Sequence, residues 1–467
     1  MTNLVKELQP VTDMRHINMY RENVNIILYV ANETEFTETF KFLVNKSGTG
    51  VVKFVRDGNM YHIGNIGLHT LALVKGGNIG QEGVYSSVPT IENALRTFYN
   101  TDYIITVGVC GGYQKKISTR DVIVAYEMIN YESQKIVDGK IIDRSQGLLS
   151  VNLGNILSSE IALMDFGSFH VHYGKVLSGN KVVSDKLFAE KLLEIHPDVM
   201  ALDMEGYSIA RAAITNKLKD WIFVKSPSDF LYEKIGSNDQ DICTRNALKV
   251  LERLLNLRDL LKVKKIKVLI SGAYTFDDQD TSRAEELSYL LSQKLIENNY
   301  KLISGYGMCI GNAVVAGVYN SHSHKGNLGN SLQDYIEVYP FPRIVTGKIK
   351  ECLNAIKYEN RQLMAKGCTF TIFLYGKKSK STLSEGMNEE FRLASNSFVI
   401  PVGWTGYKAK EIWEKVNQDF CHYYPENKSI RDAFAALNNP SLTINQVVDN
   451  ILYLMELLKD YYFEFKA

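Results

Sequence analysis

Short apolar runs alternate with longer stretches of helical period along this chain, and the alternation predicts its architecture. The run "VNIILYVANETEF" reads as a buried strand whose C-terminal end carries Glu33 and Glu35. "HTLALVKG", "DYIITVGVCGGY", "DVIVAYEMI", "HYGKVLSG" and "DWIFVKSPSDF" follow as further strands. Between them "TIENALRTFYN" and "KLFAEKLLEIH" have helical spacing, with Ser87 and Pro89 as a start signal. Strands alternating with helices predict an α/β domain. Near residue 240 the pattern changes to one long amphipathic helix, "DICTRNALKVLERLLNLRDLLK", followed by the basic "VKKIK", which predicts a domain boundary. A second α/β series runs from "KVLISGAYTF" through "SRAEELSYLLSQKLIENN", "YKLISGYGMCIGNAVVAGVYN" and "CTFTIFLYG" to "SFVIPVGWTG". The expected division is an amphipathic leader over 1–24, a first domain over 25–262 and a second over 263–467. The second domain ends in the helical "INQVVDNILYLMELLKDYYF", whose apolar stripe predicts packing or an oligomer contact.

Composition narrows the classes. With 467 residues, 45% of them hydrophobic and 22% charged, the chain can bury two or three cores. Lys plus Arg (53) nearly cancels Asp plus Glu (52), so no global attraction to nucleic acid or an anionic membrane is expected, and phosphates must be bound locally. The six cysteines contain no C-x-x-C pair, which disfavours a disulfide framework and a zinc site. No apolar run reaches the roughly 20 residues of a membrane span, and a cytoplasmic protein is expected. The "HVH" at 170–172 and "HSH" at 322–324 lack carboxylate or thiolate company, so no metal is expected there.

In open α/β sheets ligands sit beyond the carboxyl ends of strands, and polar residues cluster there in the first half. These are Glu33 and Glu35, then Gly108, Gly111 and Gly112 in "VGVCGGY", Asp203 and Glu205 in "DMEG", and Ser228 and Asp229 in "SPSD". Each alone reads equally as a helix cap or a solvated loop. Together and in this order, "ANETEF", "VGVCGGY", "SGN", "DMEG" and "SPSD" resemble the nucleoside phosphorylase and methylthioadenosine/S-adenosylhomocysteine nucleosidase superfamily, over roughly residues 25 to 255. The resemblance implies a three-layer phosphorylase-like fold and cleavage of an N-ribosidic bond, which needs a proton for the departing base and a nucleophile for the oxocarbenium-like sugar. It implies that Asp229 helps protonate a purine at N7, oriented by Ser228. Glu35 would activate water, Glu205 would hold the ribose hydroxyls, and Met204 would pack under the sugar. Asp203 would face another part of the pocket and Gly111 would line it. Phosphorylases carry an arginine and a serine around the glycine turn where this chain has Thr106 and Val109, so hydrolysis is favoured. In "SGNKVVSD" Val182 replaces the family's base-stacking ring, and Phe230 is the alternative cover. Lys181 or Lys225 would meet a substrate phosphate.

In the second half Ser271 and Gly272 end one strand, and Gly305, Gly307 and Gly311 lie between a strand and a helix, a spacing suited to backbone contact with phosphate or to a tight turn. With "VYPFPR", "ENRQLMAKGCTFTIFLYGKK", "GMNEEFRLA" and "VIPVGWTGYKAKEIW", residues 265 to 417 resemble the SLOG domain, a Rossmann-like nucleotide binder, in its Thoeris-effector form. That resemblance implies a cyclic ADP-ribose-type messenger held by Arg361, Lys378 and Glu390, with Lys377 competing for the lysine role. The "PGGxGTxxE" signature of phosphoribohydrolase relatives is absent, which favours sensing over catalysis.

The two resemblances imply an antiphage effector, expected as a homo-oligomer without cofactor, in which the messenger switches on hydrolysis of an adenine nucleotide such as ATP. NAD, AMP and other purine compounds stay open as substrates. A constitutive methylthioadenosine/S-adenosylhomocysteine nucleosidase and a non-catalytic nucleotide sensor are the rival readings.

Overall fold

A computed structural model describes residues 8–47, 50–77, 80, 86–138, 140–150, 152–232, 239–257, 260–274, 281–307, 310–324, 331–341, 350–376 and 382–461. They form two compact units. The first holds Asn23–Lys264 with the described residues before Thr12, and the second holds Thr12–Glu22 with the chain from Lys265 onward. The described part of the expected leader, residues 8–24, is thus divided between the two units. Within the second unit His16 Nε2 donates to the Leu458 carbonyl oxygen at 2.6 Å, and its ring meets Phe398 edge-on.

The first unit is built on a ten-stranded sheet. Its centre is Tyr103–Gly112, flanked by Ile26–Val30 and Asp220–Phe230, both parallel to it. One wing adds His69–Lys75, Asn59–Ile66 and Val51–Arg56, and the other adds Val122–Asn130, Val171–Ser178 and Val199–Asp203, with the short Gly147–Leu149 pairing antiparallel to Val122–Asn130 as the tenth. Alternation along Asp220–Phe230 assigns the two faces. Ile222 and Val224 join the core beneath helix Gln240–Leu255, which also packs on helix Glu33–Lys46. Phe223 points the other way, against Gly206 at the start of helix Gly206–Thr215, which packs on helix Ser87–Thr97. The result is three layers. Glu33 and Glu35, expected to end the first strand, lie instead in the first turn of helix Glu33–Lys46, because the strand stops at Val30 and Asn32 caps the helix.

His62 lies on the strand Asn59–Ile66 between Phe36 and Phe40, with ring centroids 5.5 and 5.0 Å away. His69 begins the next strand, its Nδ1 3.0 Å from the Asn25 side-chain nitrogen. Burial holds both imidazoles down at about 4. The folded state therefore resists protons that the unfolded chain takes up below about pH 6.5. Stability is expected to be full above that pH and to fall as pH drops toward 4, by up to ~3 kcal/mol for each histidine. Thermal unfolding of wild type and His62→Phe across pH 4 to 7 checks this, the variant losing part of the acid sensitivity.

The second unit has five parallel strands in the order Ile336–Val338, Lys301–Ser304, Lys267–Ala273, Phe370–Tyr375, Phe398–Pro401. The first strand in sequence is central and its neighbours extend in opposite directions, so a topological switch point lies at its carboxyl end, where Ser271 sits. Both faces are covered, and Phe370–Tyr375 is buried at all six positions. No described helix of either unit is long and apolar enough to cross a membrane.

Candidate active site and nucleotide site

In the first unit a cleft opens at the carboxyl ends of the central strands. Its wall includes Ala31, Asn32, Val109, Cys110 and Gly111 on one side, Lys181 and Val182 on another, and Asp203, Met204, Glu205, Ser228, Asp229 and Phe230. Of the candidate residues of this half, Gly111, Lys181, Val182, Asp203, Met204, Glu205, Ser228, Asp229 and Phe230 line the cleft, whereas Glu33, Glu35, Gly108, Gly112 and Lys225 do not. The strand Asp220–Phe230 carries an irregularity between Pro227 and Asp229 against its partner. Such an extra residue re-aims the side chains that follow, and it brings Ser228 and Asp229 onto the cleft. Val182 is 67% exposed and offers no enclosed platform for a base, whereas Phe230 is half-buried beside Asp229.

The floor differs from the expectation. Asp203 and Glu205 are both buried, and Lys225 lies between them with its side chain 1% exposed. Lys225 donates to Asp203 Oδ1 and, at 3.5 Å, to Glu205 Oε2. The other Asp203 oxygen accepts the amides of Glu205 (2.9 Å) and Gly206 (2.7 Å), and Glu205 Oε1 accepts the Gly80 amide at 2.8 Å. Burial acts to lower the Lys225 ammonium, but the Asp203, Glu35 and Glu205 carboxylates outweigh it and hold the lysine charged, well above its ordinary value. Burial, reinforced by Asp203, pushes the Glu205 carboxyl up to about 7. Lys225, expected to reach a substrate phosphate, is therefore committed to the carboxylates. Its place inside the strand, on the face of Phe223 over which its ammonium sits 5.6 Å from the ring centroid, puts it under the cleft rather than at the mouth.

Glu35 sits behind the wall. It is 1% exposed and is the third helical residue of a capping box, with its own amide donating to the Asn32 side chain. One carboxylate oxygen accepts the amides of Ala31 (2.6 Å) and Asn32 (3.1 Å), and the other accepts the Val109 amide at 2.8 Å. All three residues whose amides Glu35 accepts are themselves cleft wall, so it fixes the end of the first strand against the glycine turn.

In the second unit three of the candidate residues converge. Ser271 donates to Glu390 Oε2 at 2.5 Å, and Arg361 Nε donates to Glu390 Oε1 at 3.3 Å. A second guanidinium nitrogen reaches Glu389 at 2.7 Å, and the guanidinium lies 4.9 Å from the Phe341 ring. Burial raises the Glu390 carboxyl, against the lowering effect of Ser271 and Arg361. The glycines pass close to one another: a Cβ on Gly307 would stand 2.2 Å from the Gly272 carbonyl oxygen, so only glycine permits this approach. Gly305 abuts Phe341 and Met364. Lys377 and Lys378 lie outside the described residues.

Of the two lysines offered for a substrate phosphate, Lys181 lines the cleft and Lys225 is bound to Asp203 and Glu205 beneath it; its place inside the strand, directly after "WIFV", is a signal of a buried charge. The Gly80 amide and Glu132, whose carboxylate holds Lys181 at 2.5 Å, follow no motif.

Two family models match the chain, the Phosphorylase superfamily over residues 25–257 and the Sir2- and TIR-associating SLOG family over residues 255–458. Among curated relatives, an NAD(+) hydrolase ThsA of Bacillus cereus (strain MSX-D12) is 29% identical over 275 residues, 57% of this chain and 52% of the relative. A Death domain-containing ATP nucleosidase of Amphimedon queenslandica is 27% identical, covering 44% and 43%. A 5′-methylthioadenosine/S-adenosylhomocysteine nucleosidase of Maridesulfovibrio salexigens (strain ATCC 14822 / DSM 2638 / NCIMB 8403 / VKM B-1763) is 28% identical over 142 residues, 29% of this chain and 59% of the relative. The chain spans about half the length of the ThsA relative, so the likeness to each is partial. The chain joins a domain of the Phosphorylase superfamily to a domain of the Sir2- and TIR-associating SLOG family.

Proposed function

We propose that the first domain hydrolyses the N-glycosidic bond of an adenine nucleotide and releases adenine, and that a cyclic ADP-ribose-type messenger bound by the second domain switches it on in antiphage defence. The observation that carries the hydrolytic reading is the convergence of Met204, Glu205, Ser228 and Asp229 on one cleft at the carboxyl ends of parallel strands. Asp229 gives its proton to N7 as the C1′–N9 bond breaks and the electron pair goes to the base. Water adds to C1′ and passes its proton toward Glu35, which backs the Asn32 and Val109 wall and keeps one lone pair beyond the three amides it accepts, the ribose diol lying over Glu205 and Met204. No arginine lines the cleft among the described residues, which supports water rather than phosphate as acceptor.

The relatives' names offer two leaving groups. ThsA proteins are NAD(+) hydrolases, and the Amphimedon protein is an ATP nucleosidase. Nicotinamide leaves a pyridinium as a neutral molecule and needs no acid, whereas adenine gains from protonation as it departs. A carboxyl and a hydroxyl set in the cleft on a strand irregularity suit the second. This SLOG family is Sir2- and TIR-associating, companions of another kind than a phosphorylase-like domain, which supports a likeness to ThsA in sensing rather than in the catalytic domain. Arg361, Glu390 and Ser271 would hold the messenger, and its binding would have to favour the active state to act as a switch.

The test is chromatographic detection of adenine from ATP and of nicotinamide from NAD, with and without a cyclic ADP-ribose isomer. Adenine appearing only with the messenger is expected. Asp229→Asn should lower adenine release by about a hundredfold or more while unfolding at the wild-type midpoint. Nicotinamide release unaffected by Asp229→Asn would sink the adenine reading, and full ATP cleavage without messenger would remove the switch.

A further inference from the structure

Resting on that nucleotide reading, the geometry points to Lys181 as the group that recognises the substrate's 5′-phosphate, with Glu132 holding its place when the cleft is empty of nucleotide. Among the described lining residues Lys181 is the only cation, facing a cleft that carries the carboxylates of Asp203, Glu205 and Asp229. A polyanion entering such a cleft meets repulsion from those groups unless a positive charge receives it at the edge. Lys225 cannot serve, because it is buried and bound to two of the carboxylates. Lys181 can: its side chain is 65% exposed, beside Val182 at the wall.

The position of Lys181 follows from two neighbouring strands. Val171–Ser178 runs parallel to Val122–Asn130, with Ser178 opposite Asn130. Just past those ends Glu132 and the segment 179–181 lie side by side. Glu132 Oε2 accepts the Asn180 amide at 2.9 Å, and Oε1 accepts the Lys181 ammonium at 2.5 Å. Glu132 is itself mostly shielded, at 22% exposure. One carboxylate therefore fixes both the backbone before Lys181 and its charged head. A phosphate oxygen presents the same acceptor geometry with more charge, so it can take over the ammonium while Glu132 keeps the Asn180 amide. The exchange gives selectivity: a nucleotide gains the lysine, and a nucleoside or its thioether does not.

The full-length protein with a cyclic ADP-ribose isomer present is assayed on ATP and on adenosine, and binding of both is measured by calorimetry using Asp229→Asn as a slow background. Lys181→Ala is expected to raise KM for ATP about tenfold while leaving kcat for ATP and the KM for adenosine unchanged. Glu132→Gln, which frees the lysine yet keeps a side-chain acceptor for Asn180, should lower KM for ATP. The calorimetric preference for ATP over adenosine should shrink in Lys181→Ala by the same factor. An equal effect on both substrates, or no preference for ATP in the wild type, overturns the assignment. Absence of adenine release with a lysine-dependent ATP preference would instead refute the hydrolytic reading and leave the phosphate site standing.

Discussion

Lys225→Met is expected to destabilise the first unit by about 3–5 kcal/mol, the cost of leaving buried charge without its partner. Methionine matches the lysine's length and apolar stem, so packing against Phe223 is kept and the change is mainly electrostatic. What remains is two carboxylates under one cleft, Asp203 and Glu205, held only by amides. One of them must take up a proton or water must enter. A second variant separates charge from shape. With Asp203→Asn, Glu205→Gln and Lys225→Met combined, no unpaired charge is left, and the urea midpoint should return most of the way to wild type. Activity should not return, because the carboxylate proposed to hold the ribose is gone. A Lys225→Met protein as stable as wild type would mean that the three groups are not coupled as the distances state. The linkage has a definite sign as well. Glu205, raised to about 7, binds a proton in the folded state that the unfolded chain releases near its ordinary value of 4.5. Its contribution is complete below that value and is lost as pH rises toward 7, opposite in direction to the two buried histidines.

The architecture was legible because periodicity reports burial. The runs "HTLALVKG", "DVIVAYEMI" and "CTFTIFLYG" became the strands His69–Lys75, Val122–Asn130 and Phe370–Tyr375. The acids Asp203, Glu205 and Asp229 were placed on one site, and Arg361 and Glu390 on another, by the family resemblance of the motifs that carry them; without it Arg361 and Glu390 read as ordinary surface charges. Charges whose partners are distant in sequence were not legible. Lys225 stands 22 residues from Asp203, and Gly80 stands 125 residues from Glu205, so only the folded sheet reveals their contact. Glu35 is a different case. "NETE" after a strand is a capping-box pattern, with Asn32 and Glu35 three residues apart, and the sequence contained that reading beside the catalytic one. The acid is read as both because it braces the wall of the cleft that it would serve.

That double role makes Glu35→Gln a poor probe: an amide there would face the amides of Ala31, Asn32 or Val109 with a donor of its own, and lost activity would not distinguish base from brace. Gly108→Ala acts on the same contact from the other side and should produce the larger, more interpretable loss. Gly108 has φ +151°, in a range that favours glycine, and a Cβ there would lie 2.0 Å from Glu35 Oε1. A glutamate tip usually swings away from such a collision at little cost. This one accepts three backbone amides at 2.6 to 3.1 Å, so yielding leaves those donors buried and unpaired. A loss of about 3–5 kcal/mol is expected from donors left unsatisfied together with backbone strain, with adenine release falling at least a hundredfold if Glu35 takes the water's proton. The Glu35→Ala/Gly108→Ala double variant identifies the cause. Once the carboxylate is absent the new methyl group has room, so adding Gly108→Ala to Glu35→Ala should cost only about 1 kcal/mol of backbone strain. Strong non-additivity in the cycle assigns the damage to the collision with Glu35. Simple additivity would assign it to the strand backbone alone and remove Glu35 as the brace of the cleft.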